Sequence, residues 1–417
     1  MHKRRKLVAV ALVVALAALA AVTAATAGNR TSRIDPGVTS DSILFGDVIP
    51  LSGSAAVYGT IASAIQAYFN WYNDTHHGVY GRKVQLKVYD DAYVPAQALQ
   101  FTQKLVEQDK VFAMLNALGT EPNQAIQGYL KEKGVPNLFL ATGASEWGTN
   151  HAAYPMQIGY QPDYFSEGKL YGQFIKKKVP QAKLAVFMQG DSYGANMLAG
   201  LKAGLGSAAS KIVATQSYQI TDTDYSGYVA KLKDSGANIF MDFGTPGPTN
   251  FALIAAAKFG WHPQAVFINN VGGAPFYFNV LANRNGAGYL LNGAYGMIYF
   301  PDPSDPKTKS LPQYAVFQAI MSKYYPKGNL NDAFNWYGMS VADTAIRTLI
   351  KAGKNLSRAS VVKAADSLNF KSRWLLPGIR VRTGPGHYFP ISQMQLARYN
   401  GSSWVGLGGL VDARPGQ

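Results

Sequence analysis

The sequence contains no cysteine. Disulfides, a lipid-modified cysteine, thiol catalysis and zinc-thiolate sites are therefore excluded, and the absence suits an exported chain. Histidine is scarce, and His76, His77, His151, His262 and His387 show no spacing suited to a zinc site or a catalytic triad. There is no G-x-S-x-G elbow and no G-x-x-x-x-G-K-[ST] loop, so neither an α/β-hydrolase nor a nucleotide-binding subunit is expected. No enzymatic activity, cofactor or metal is expected of this chain. Acidic residues are few, 24 against 39 basic, for a formal charge of +15. The basic residues are scattered, with no run longer than Lys176-Lys177-Lys178, which describes a solvated surface and not a nucleic-acid footprint.

What is present begins with a leader. His2-Lys3-Arg4-Arg5-Lys6 is a basic head, Leu7 to Ala21 is apolar, and Ala25-Thr26-Ala27 is a small-residue cleavage site. Residues 1–27 thus read as a secretory signal peptide, with an uncleaved N-terminal anchor as the alternative, since the apolar segment is just long enough to span a bilayer. Residues 28–40 are polar and contain Gly and Pro, and a disordered lead is expected there. The remaining length and the hydrophobic fraction of 47% allow two lobes, each with its own core.

Strand and helix patterns alternate from Ile43 onward. The stretch Val111 to Trp147 carries the same junction twice: Val111 to Leu115 breaks at Leu118-Gly119-Thr120, and Leu138 to Leu140 breaks at Ala141-Thr142-Gly143-Ala144. Thr120 is expected to cap one helix, and Ser145-Glu146 to start another. If the two strands are parallel neighbours, both turns meet at one sheet edge. Free N–H groups and a threonine hydroxyl from each would suit a carboxylate or other small anion there. A second block of alternating elements runs from Asp163 to Asn270, and the two blocks together predict an α/β fold of two doubly wound lobes. Past Pro377 the pattern changes to short alternating strands with Gly384-Pro385-Gly386 and Asn400-Gly401 as turns.

Several stretches in order carry a resemblance: FGDVIPLSG (45–53) with Tyr58-Gly59, VYDDAYVPAQA (88–98), KLVEQDKVFAMLN (104–116), KEKGVPNLFLATGA (131–144), GDSYG (190–194), DTDYSGYVAKLKDSGANIFMDFG (222–244) and AAAKFGW (255–261). From Ser42 to Val405 the chain resembles the type I periplasmic binding proteins of the Leu/Ile/Val-binding family of ABC transporters. The resemblance implies two lobes with a ligand cleft between them, residues 41–159 plus 293–376 and residues 160–292 plus 377–417, with crossings near Gly159, Gly293 and Pro377. It also implies ligand contacts from Tyr58, Leu118, Gly119, Thr120, Ala141, Thr142, Tyr193, Thr245 and Asn270. The implied partners are a small-molecule carboxylate and a membrane permease, the implied location is periplasmic or extracytoplasmic, and a monomer is expected.

Two positions depart from the amino-acid-binding members. Asn270 is neutral where they place a carboxylate for the ligand's ammonium, and Ala117-Leu118 stands where they often offer a serine. Trp147-Gly148-Thr149-Asn150 and the stretch 159–175 are similar to the branch that takes aromatic and other hydrophobic carboxylates. An acid without an α-amino group is the preferred ligand. Branched-chain or other amino acids are the alternative, with Asp163 or Glu167 as the acid they would need. A receptor lobe pair that senses instead of delivering would share the same cleft. Asp90 and Asp91 are read as capping and hinge-side residues.

Overall fold

The computed structural model describes residues 35–414. The leader, residues 1–27, lies outside the described residues. Among those described, no helix is long and apolar enough to cross a membrane. The end of the expected disordered lead is folded. Val38 is buried and bridges Ile43, while the Gly37 carbonyl accepts from Leu44 N–H at 2.8 Å.

The first sheet has the order β2-β1-β3-β4-β5, all parallel: β1 Ser42–Ile49, β2 Lys83–Asp90, β3 Ala113–Leu115, β4 Asn137–Leu140 and β5 Gln157–Gly159. Its central strands are buried on both faces, so they read as continuous apolar runs. The edge strand β2 instead alternates, with Val84 and Leu86 inward and Lys83, Gln85 and Lys87 outward. Phe45 and Ile49 face the helices Gly59–His76 and Ala333–Ala352, whereas Val48 faces the helices Pro95–Glu107 and Thr120–Lys133.

The second sheet has the order β14-β13-β10-β9-β8-β6-β7, with β6 Leu184–Gln189, β7 Ile212–Tyr218, β8 Ile239–Phe243, β9 Ala265–Ile268, β10 Tyr295–Ile298, β13 Gln393–Tyr399 and β14 Trp404–Asp412. The strands β6 to β10 are parallel, and β13 pairs antiparallel with both β10 and β14. A separate ribbon pairs β11 Asn369–Lys371 with β12 Arg380–Arg382.

The chain leaves the first sheet after Gly159. It returns to the first sheet's helices only after Ile298, because Tyr295–Ile298 stays in the second sheet as the strand on which the C-terminal pair is built. It crosses again between Arg382 and Gln393. The second and third passages therefore fall later in the chain than Gly293 and Pro377. The parallel strands of each sheet end on the side where the two sheets' loops meet, which is where an open α/β sheet presents its binding crevice.

Candidate functional site

At the strand ends lies a cavity whose wall includes Tyr58, Leu118, Gly119, Thr120, Ala141, Tyr193 and Thr245. The loops after β1, β3 and β4 supply the first five, and the helix starts after β6 and β8 supply the others. Thr142 and Asn270 stand just outside it. Thr142 reaches it through Thr120, the two Oγ1 atoms being 2.7 Å apart. Asn270 lines an adjoining void that shares Tyr58, Gln161 and Val271 with the first.

The turn after β3 is built differently from the expectation. Gly119, not Thr120, is the N-cap of the helix Thr120–Lys133, at φ 99° and ψ 149°, and no side chain caps that helix. Its N–H donates to Ala141 O at 3.2 Å. The Thr120 hydroxyl is free to meet Thr142, and the first-turn N–H groups of Thr120 and Glu121 have no helical carbonyl to donate to. The turn after β4 offers less than expected. Its helix is the single turn Glu146–Thr149; the Thr142 N–H donates to Leu140 O, Ala144 N–H to Thr142 Oγ1 and Ser145 N–H to Asn196 Oδ1. The anion-compatible donors thus belong to one helix start and a threonine pair, not to two equivalent turns.

The cavity is rich in tyrosine. Tyr193 packs on Tyr164 with ring centroids 4.6 Å apart and donates its hydroxyl to Gly244 O at 3.0 Å. The Tyr58 hydroxyl donates to Val271 O at 3.4 Å, and its ring meets Phe334 at 4.9 Å. Thr245 is fixed by Tyr218, whose hydroxyl accepts from Thr245 N–H at 3.0 Å. Tyr93, Gln161, Tyr164 and Val271 also line the cavity and were missed from sequence. Tyr93 follows a strand end inside the stretch 88–98 that carried the resemblance, and Tyr164 follows one inside the stretch 159–175 likened to the branch that takes aromatic carboxylates; those positions were the available signal. Tyr93 gets there because Asp91 Oδ1 accepts its N–H at 2.8 Å, with Ala92 and Tyr93 both at positive φ. Asp90 Oδ1 holds the loop after β1 by accepting from Leu51 N–H at 2.8 Å and Ala92 N–H at 2.9 Å.

No lysine, arginine, aspartate or glutamate lines either void among the described residues. Asp163 caps the helix Tyr164–Lys178, accepting from Ser166 N–H and from the Ser145 and Ser166 hydroxyls, and its burial pushes its carboxyl upward in pKa. Glu167 lies behind Asn270. Its Oε1 accepts from Asn270 N–H at 2.8 Å and from the Tyr171 hydroxyl at 2.9 Å, and its Oε2 accepts from Asn270 Nδ2. Burial raises Glu167 to about 7 despite those bonds. Both candidate acids are thus engaged by protein donors.

The sequence profile of the periplasmic binding protein family matches residues 42–403. The chain belongs to that family. A Leu/Ile/Val-binding protein homolog from Brucella abortus is 23% identical over 331 residues, covering 75% of this chain and 79% of the relative. Among solved structures, a branched-chain amino acid ABC transporter protein from Thermus thermophilus with bound valine superposes with a TM-score of 0.75 at 16% identity, covering 90% of this chain and 97% of that one. An R. palustris solute-binding protein in complex with 4-hydroxybenzoate gives 0.73 at 18% identity, covering 90% and 98%. These likenesses bear out the two-sheet α/β architecture of type I periplasmic binding proteins.

Proposed function

We propose that this protein is the extracytoplasmic solute-binding component of an ABC importer, and that it holds a small hydrophobic or aromatic carboxylate between its two sheets. The observation that carries this reading is the composition of the cavity wall. It offers a helix N-terminus and a threonine pair to an anion and tyrosine rings to an apolar body, with no free acid for an ammonium. Desolvating an ammonium without a charged partner costs several kcal/mol, which disfavours an α-amino acid. A carboxylate needs only the oriented donors that remain at Thr120 and Glu121. The bound 4-hydroxybenzoate of the R. palustris protein shows that the architecture accommodates such an acid.

Amino-acid binding is the second reading. It is favoured by the Brucella relative's name and by Glu167, one side chain behind Asn270. A thermal-shift panel separates the two. Benzoates and other hydrophobic acids are expected to raise the melting midpoint and leucine and valine are not; a ligand at 100 times its Kd stabilises by about 2.7 kcal/mol. Stabilisation by leucine or valine with no response to any acid lacking the amino group would establish the second reading in place of the first.

A further inference from the structure

Asn270 and Tyr337 both line the adjoining void behind Tyr58, and each carries a buried polar atom with no hydrogen bond of normal geometry, Asn270 Oδ1 and the Tyr337 hydroxyl. The Gln161 side chain on the same wall stands beside the Tyr337 oxygen as a donor, which leaves the Tyr337 hydrogen to be placed. We propose that this chamber recognises a hydroxyl group at the end of the ligand remote from its carboxylate, with Asn270 Oδ1 accepting from that hydroxyl and Tyr337 donating to it. The inference rests on the carboxylate reading of the cleft.

The orientation of Asn270 is set from behind. Its Nδ2 and its backbone N–H both donate to Glu167, so Oδ1 is the one amide atom left without a partner. Tyr337 is only 3% exposed, and its ring stands edge-on to Tyr160 at 5.9 Å. The remainder of this wall is largely apolar, including Ile61, Phe300 and Phe334. An unsatisfied donor and an unsatisfied acceptor in such surroundings are each unfavourable, and a ligand group that satisfies both is selected over one that satisfies neither.

A hydroxyl fits this pair because it donates and accepts at once. An ammonium group only donates, so it would serve Asn270 and leave the Tyr337 hydrogen unpaired. A methyl or hydrogen substituent serves neither. The shared wall of Tyr58, Gln161 and Val271 places the chamber directly beside the cavity that holds the acid end.

The test uses calorimetric titration of the whole mature chain with two matched pairs, 4-hydroxybenzoate against benzoate and 3-(4-hydroxyphenyl)propanoate against 3-phenylpropanoate. In at least one pair the hydroxylated acid is expected to bind about tenfold tighter or better. In Tyr337→Phe that ratio should collapse towards one, with the melting midpoint recorded alongside to establish folding. Should Tyr337→Phe not fold, the ratios on the native chain decide alone. Equal affinities within both pairs, or a ratio that survives in folded Tyr337→Phe, would overturn the hydroxyl chamber while leaving the carboxylate reading standing. Failure of all four acids to bind would overturn both.

Discussion

At the residue scale the site depends on Gly119. Its φ of 99° with ψ of 149° lies in a region that L side chains avoid, and a Cβ there would stand 2.6 Å from the Tyr93 ring. Gly119→Ala should therefore cost about 1–3 kcal/mol of stability from backbone strain. It should also displace Tyr93 from the cavity wall. Chemical denaturation checks the first effect. Titration with the best acid of the panel checks the second, an affinity loss of about tenfold or more being expected, as for other sub-ångström errors in a preorganised site. Unchanged affinity would mean that the Tyr93 ring is not part of the ligand surface. The tyrosines themselves were hard to read from sequence for a related reason. Tyr93 enters the cleft through consecutive positive-φ residues, and Tyr337 sits in the second turn of the long, almost wholly buried helix Ala333–Ala352, where an aromatic residue looks like ordinary core.

Among the elements, the two helices that flank the second half of the cleft show what sequence patterns do and do not convey. Tyr164–Lys178 and Ser192–Leu205 pack through Gly168, Gly172, Gly200 and Gly204, and a Cβ at Gly200 or Gly204 would come within about 2 Å of the Phe165 or Lys169 carbonyl oxygen. This close approach carries Tyr164, Tyr193 and Asn196 to the cleft. Gly200→Ala should force the helices apart and destabilise by about 1–3 kcal/mol. Its denaturation midpoint should drop with little change in slope. A midpoint equal to the native one would show that the pair has slack. The parallel strands at the centre were legible because both their faces are buried, which leaves uninterrupted apolar runs. β14 was not legible, since Val405-Gly406-Leu407-Gly408-Gly409 neither alternates nor resists turning, and its pairing with β13 contains an irregularity. The threonine junctions were found as strand ends. Which of their N–H groups would be consumed by neighbouring carbonyls is a property of the packed sheet edge, so donors from both turns were expected to converge on one anion where only one set remains.

For the whole molecule, two properties follow from the arrangement of buried carboxyls and of contacts across the cleft. Burial lifts Glu167, Asp91 and Asp242 to about 7 and Asp191 and Asp332 to about 6. These groups bind protons in the folded chain that the unfolded chain has already released, so the stability they contribute is complete below about pH 4 and is lost as pH rises through 6 to 7. Denaturation at pH 5.5 and at pH 7.5 should find the protein more stable at the lower value. The reverse order would contradict the raised carboxyls. The second property is closure. Gln124 Nε2 donates to Ser192 Oγ at 2.7 Å, Ser145 N–H to Asn196 Oδ1 at 2.8 Å, and Ser54 Oγ to Ile220 O at 3.2 Å, each bond joining the first sheet's body to the second's. Asn196 does not line the ligand cavity, so Asn196→Ala removes a latch without removing a ligand contact. If the bodies open and shut about the crossings, the variant should shift the free chain towards the open form. Apparent affinity then falls in proportion to the closed fraction, by about three- to tenfold. Small-angle scattering should show a larger radius of gyration for the free variant than for the free native chain, and equal radii once both are saturated with ligand. An affinity loss with no difference in the free radii would instead assign Asn196 to shaping the loop at Ser145, because a latch must act through the open population.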